Sequence, residues 1–223
     1  MEYHTTARRH FEEDKKHLYN EILKMGAIVE VSLRKALSAL SNRDHALAKE
    51  VIEGDARIDE LQLQIEDRCA VLIATENPVA SALRKIITSI KIASDLERIG
   101  DHARHLARAL DSVDRDLLET MLPRIRDMAE RGIGMVHDAL TAFVDDDTET
   151  AIAVAERDER IDELHRALYQ EIVAKMQERP HLMAAGTNLL FVNRFLERLG
   201  DHVTNICEWV IYANKGTHVE LNK

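Results

Sequence analysis

The hexapeptide Glu97-Arg98-Ile99-Gly100-Asp101-His102 recurs as Glu197-Arg198-Leu199-Gly200-Asp201-His202. In each copy a Glu and an Asp stand four residues apart, so on a helix both carboxylates leave from one face. Each copy also holds a glycine, which in a helix interior costs about 1 kcal/mol relative to alanine. A costly residue repeated beside paired carboxylates points to a site or to a close helix contact. Upstream of each copy a second acidic pair recurs, Asp55/Asp59 and then Asp158/Asp162. If neighbouring antiparallel helices bring four such carboxylates together, they repel and resist ionisation unless a cation lies among them. All-oxygen donors favour hard ions (Mg²⁺, Mn²⁺, Ca²⁺ or iron) over Zn²⁺ and copper. The competing account is a solvated charged face, with Arg57, Arg98, Arg160 and Arg198 supplying helix salt bridges of small net worth.

His105 lies on the Glu97/Asp101 stripe and is a further ligand candidate, with Asn205 as its counterpart in the second copy. His102 and His202 follow their Asp directly, about 100° round the helix, and read as packing or hydrogen-bonding residues. A di-iron carboxylate enzyme needs Glu-x-x-His on inner helix faces. The chain offers only Glu178-Arg179-Pro180-His181, where the proline places the motif in a loop. The sequence carries no P-loop, GxSxG or HExxH, so it offers no support for covalent or phosphoryl-transfer chemistry.

The elements that present these residues are helical. Leu18, Ile22, Met25, Val29, Leu33, Leu37 and Leu40 recur at spacings of three and four, which predicts a first helix over about Thr6–Leu40. Asn42 or Asp44 is placed to cap a second, over about Asp44–Ala74. Asn77-Pro78 ends it, and a third runs from just after Pro78 to about Leu110, with a seam of Ile92, Leu96, Ile99, Ala103, Leu106 and Leu110. On a helical wheel Glu97, Asp101 and His105 fall opposite that seam, facing solvent, another subunit or an ion. The fourth is expected over about Met121–Val144 with Pro123 in its first turn, the fifth over Asp147–Glu178, and the sixth over Pro180–Asn214.

Glu53–Leu61 matches Glu156–Leu164 without a gap, and the hexapeptides follow at a slightly shorter offset. Each half is therefore a three-helix unit, 1–112 and 113–223. The fold expected is all-α: six long helices in two tandem three-helix bundles.

The net charge of −10 is uneven, with 17 Lys/Arg against 19 Asp/Glu in the first half and 13 against 21 in the second. That balance argues against nucleic acid or anionic lipid as primary partner, since both select basic patches. Cys69 and Cys207 form no ligand spacing and read as buried free thiols in a reducing compartment. With no long apolar run and a charged N-terminus, the expected location is the cytoplasm.

Glu53–Leu61, Asn77-Pro78-Val79-Ala80, Leu83-Arg84 and the two hexapeptides together resemble the PhoU family over about residues 10–214. The resemblance implies a pair of three-helix bundles whose acidic motifs carry multinuclear clusters of hard metal ions, iron, manganese or magnesium. Those motifs fall here on Asp55/Asp59, Glu97/Asp101, Asp158/Asp162 and Glu197/Asp201. Two departures bear on the first site: Ser81-Ala82 stands where the family often has an acidic or polar residue, and His105 replaces an asparagine. The implied function is a non-enzymatic adaptor. It would couple the ATPase subunit of the phosphate ABC transporter to a phosphate-sensing histidine kinase, keep the phosphate-starvation regulon off in plentiful phosphate, and restrain uptake. It would touch the membrane only through those partners. The outward acidic face of the third helix adds the expectation of a homodimer. The alternatives are a metal-storage or metal-dependent helical-bundle enzyme, and a structural scaffold without metal.

Overall fold

The computed structural model describes the backbone of residues 2–222 and the side chains of residues 12–222. Among the described residues there are seven α-helices and no strand. They are α1 (Glu2–Asn42), α2 (His45–Glu76), α3 (Ser81–Arg108), α4 (Arg115–Val144), α5 (Thr148–Glu156), α6 (Asp158–Glu178) and α7 (Met183–Lys215). Short 3-10 turns, Ala109–Asp111 and Pro180–Leu182, follow α3 and precede α7.

The helix ends follow local chemistry. Asp44 caps α2 by accepting from the Leu47 N–H at 3.0 Å, and α2 stops at Asn77, which takes a left-handed conformation with φ 46°. Asp114 caps α4 in the same way, accepting from the Leu117 N–H at 3.0 Å. That cap starts α4 earlier than expected, and Pro123 lies inside the helix rather than in its first turn. The expected fifth helix is divided in two at Arg157. There the hydrogen bonds tighten to the i−3 pattern, from Arg157 N–H to Val154 O at 3.1 Å and from Arg160 N–H to Arg157 O at 3.2 Å. Asp158 thereby becomes the first residue of α6.

The apolar stripes are buried as their spacing requires: Leu18 to Leu40 on α1, Ile58 to Leu72 on α2, Ile92 to Leu110 from α3 into its 3-10 turn, and Leu196 to Val210 on α7. α1 packs on α2 and α3, while α7 packs on α4, α5 and α6, giving a three-helix bundle in each half with α5 and α6 sharing one position. The bundles are joined through α1 with α4 and through α3 with α7. One apolar core runs through both, so the two hexapeptide helices lie back to back at the centre of the molecule.

Candidate functional site

The first acidic group forms between α2 and α3. Asp55, set on α2 one turn from Ile58, is 5% exposed, and Glu97 and Asp101 on α3 are half-buried against it. Arg104, one turn beyond Asp101, reaches across the cleft. Its Nη1 donates to Asp55 Oδ2 and its Nη2 to Asp101 Oδ1 at 2.5 Å. Burial raises the Asp55 pKa, Arg104 opposes that rise, and Asp59 and Asp101 add to it. Glu97 is also raised, first by burial and then by Asp101. Asp59 is exposed at the rim.

The second group forms between α6 and α7, beside a cleft of about 770 Å³ lined by Asp158, Asp162 and Asp201 and closed on one side by Glu220, Leu221 and Asn222. Burial pushes the Asp158 carboxyl up to about 7, with Asp162, Asp201 and Glu197 adding to the shift. Glu197 is 9% exposed; burial raises its pKa and Asp201 adds to the rise. Asp158 Oδ1 and Glu197 Oε2 are buried and have no hydrogen-bond partner. Orphaned buried carboxylate oxygens of this kind are costly without a cation. The segment closing the cleft is the chain's return after α7: Leu221 N–H donates to Glu208 Oε1 at 2.6 Å and Asn222 Nδ2 donates to Asn205 Oδ1 at 3.2 Å.

The eight carboxylates thus gather four in each half, and all but the exposed Asp59 are at least partly buried between helices. Among the described residues no group of three or more Asp, Glu, His or Cys side chains is arranged so that it could hold a metal ion as it stands. The face of α3 opposite its seam is occupied from within the chain. Asp101 and Glu97 lie against α2, and the His105 ring stacks on Phe195 of α7 at 4.7 Å. The helix-face reason for expecting a homodimer is thereby removed. His102 also stacks on Phe195, at 5.6 Å, and lies 5.5 Å from the His202 ring. His202 Nδ1 stands 2.9 Å from Asp95 Oδ1. Both are packing or hydrogen-bonding residues, as their helix position indicates.

Of the arginines expected to supply helix salt bridges, Arg57 and Arg160 do so with Glu60 and Glu163, three residues on. Arg98 contacts Asp101 and Glu97 at 3.4 Å while 59% exposed. Arg104 is the residue the sequence reading missed. Its i+3 spacing from Asp101 was visible, but its partner Asp55 is brought in only by the register of α2 against α3. Glu178 closes α6, and Pro180 opens the 3-10 turn holding His181, so that Glu-x-x-His spans a helix end. The thiols of Cys69 and Cys207 are free and buried, and burial pushes both up to about 12. Among the described residues no helix is long and apolar enough to cross a membrane.

A family profile described as PhoU domain matches residues 22–110 and 125–210. The chain is 36% identical over 216 residues to the phosphate-specific transport system accessory protein PhoU homolog of Clostridium acetobutylicum, covering 96% of this chain and 99% of that one. It is 38% identical over 205 residues to the homolog from Caulobacter vibrioides, covering 92% and 89%. Among solved structures it is similar to PhoU from Pseudomonas aeruginosa, with a TM-score of 0.86 and 34% identity over 93% of this chain and 100% of that one.

Proposed function

The chain belongs to the PhoU family, and on that premise we propose that it is a non-enzymatic regulator of phosphate uptake and phosphate-starvation signalling. It acts in the cytoplasm, coupling the ATPase subunit of a phosphate ABC transporter to a phosphate-sensing histidine kinase and holding the starvation genes off when phosphate is plentiful. The observation that carries this reading is the match across both repeats to proteins named phosphate-specific transport system accessory proteins. The side chains agree with it: both cysteines are buried with raised pKa values, which removes them as nucleophiles.

The acidic clefts are the proposed cation sites. Asp158, Asp162, Glu197 and Asp201 supply the all-oxygen donors a hard ion takes and leave two buried oxygens without a partner, and they would have to draw together around the ion to hold it. Asp55, Asp59, Glu97 and Asp101 make the equivalent set, bordered by His105. An ion of iron, manganese or magnesium would supply positive charge there and clamp α6 to α7 or α2 to α3, stiffening the body that the partners grip. Self-association as a homodimer belongs to the same reading. The exposed Leu63 and Val71 on α2 and Tyr169 on α6 are apolar side chains that a second copy would cover.

The test is co-purification of the tagged full chain from phosphate-replete cells, with metal analysis of the same sample. The reading expects the transporter ATPase and the kinase together with bound metal. Recovery of neither protein at any salt concentration contradicts the adaptor role, and a metal-free sample contradicts the cation sites.

A further inference from the structure

The two acidic clefts differ at one matched position. Arg104 of α3 lies between Asp55 and Asp101, donating to both. The corresponding residue of α7 is Thr204, which is 1% exposed and whose Oγ1 has no partner. A threonine brings no charge, so Asp158 has nothing in place of the guanidinium that holds Asp55. Among the described residues no guanidinium pairs with the Asp158, Asp162 or Asp201 carboxylates, and the one that meets the second set does so at Glu197. Arg194, more than half exposed, pairs with Glu197 Oε1, and Arg166 Nε donates to the backbone oxygen of Asp162 at 3.1 Å. Glu197, nine-tenths buried, keeps Oε2 unpaired, and the returning tail adds Glu220 to the cleft wall.

We propose that Arg104 is the built-in counter-ion of the first cleft, so that the two halves are unequal cation sites. The second cleft takes a hard divalent ion directly, whereas the first must release the guanidinium before an ion reaches the same carboxylate oxygens. Two positive charges compete for one pair of acceptors there, and their mutual repulsion is strongest in a partly desolvated groove. The inference rests on the reading of the clefts as cation sites.

Titration of the metal-free full chain with Mn²⁺, followed by calorimetry, separates the two halves. The parent is expected to show one tight binding event, lost in Asp158→Asn/Asp201→Asn and kept in Asp55→Asn/Asp101→Asn, with any second event at least about tenfold weaker. Arg104→Thr, which copies the second half, is expected to add a tight event at the first cleft. Arg104→Gln keeps a donor without the charge and is expected to do the same, which guards against a folding defect in the threonine variant. Equal affinity at both clefts of the parent, or no gain in either Arg104 variant, overturns the proposal. Absence of Mn²⁺ uptake by every variant refutes the cation reading itself, and the proposal with it. Without metal, Arg104→Thr should lower the Tm, and adding Asp55→Asn should restore part of the loss. An unchanged Tm would show that Arg104 is no counter-ion at all.

Discussion

Gly200 and Asp158 compete for the same space: a Cβ added at residue 200 would overlap Asp158 Oδ1 and approach its Cγ to 3.0 Å. The glycine of the first hexapeptide plays a different part. A Cβ at Gly100 would meet Ile58 Cδ1 at 2.8 Å, an apolar contact of the core. The repeated glycine therefore marks a close helix contact in both halves and shapes the acidic site in the second.

Gly200→Ala is expected to push the Asp158 carboxylate out of its seat and weaken Mn²⁺ binding at the second cleft about tenfold. Gly100→Ala is expected to cost about 1–3 kcal/mol through overpacking against Ile58, leaving second-cleft affinity unchanged. Thermal melts with and without Mn²⁺ separate the two effects.

Asp158 sets a pH dependence of the metal-free protein. Its carboxyl is raised to about 7 from an ordinary 3.8 by burial and by neighbouring carboxylates. A raised folded pKa contributes stability in the protonated form, present below the ordinary value and lost as pH climbs through about 7. Asp158→Asn should therefore stabilise the metal-free protein at pH 7 by on the order of 1 kcal/mol, discounted for partial exposure. The advantage should vanish by pH 4. Paired denaturation curves across that range check it, and a variant less stable than the parent at pH 7 would contradict it.

His102 acts in the opposite direction. Burial, with His202, Arg198, His105 and Arg98 around it, lowers its pKa from 6.5 to about 3. A lowered folded pKa contributes stability above the ordinary value, and that contribution is lost as pH falls from 6.5 towards 3. His102→Phe, which keeps a ring against Phe195, should remove up to about 3 kcal/mol of the acid sensitivity at pH 4. Identical acid profiles for parent and variant would rule this out.

The sequence made legible whatever depends on one helix at a time. The apolar stripes and the Asp44 cap are periodic or local, and each lies in the structure where its spacing puts it; the carboxylates of each acidic pair share a helix face as their spacing requires. The glycine contacts and the meeting of acidic pairs across neighbouring helices were anticipated from the repeat, but the individual side-chain partners across two helices were not legible. Arg104 stands 49 residues from Asp55, and the pairing exists only through the register of α2 on α3. His105 looked outward because the wheel of α3 knows nothing of Phe195 on α7. The early start of α4 was readable from Asp114, but Pro123 drew the boundary towards itself. The break at Arg157 carries no glycine or proline signal.

The proposed role is regulatory: this chain would keep phosphate-starvation genes silent when phosphate is abundant. The direct measurement is reporter expression from those genes in phosphate-rich medium, comparing the parent strain, a strain lacking this gene and any second copy, and the same strain with the gene restored. The account predicts genes switched on in the deletion strain and silent again on restoration. A deletion strain that keeps them silent in rich phosphate would contradict it.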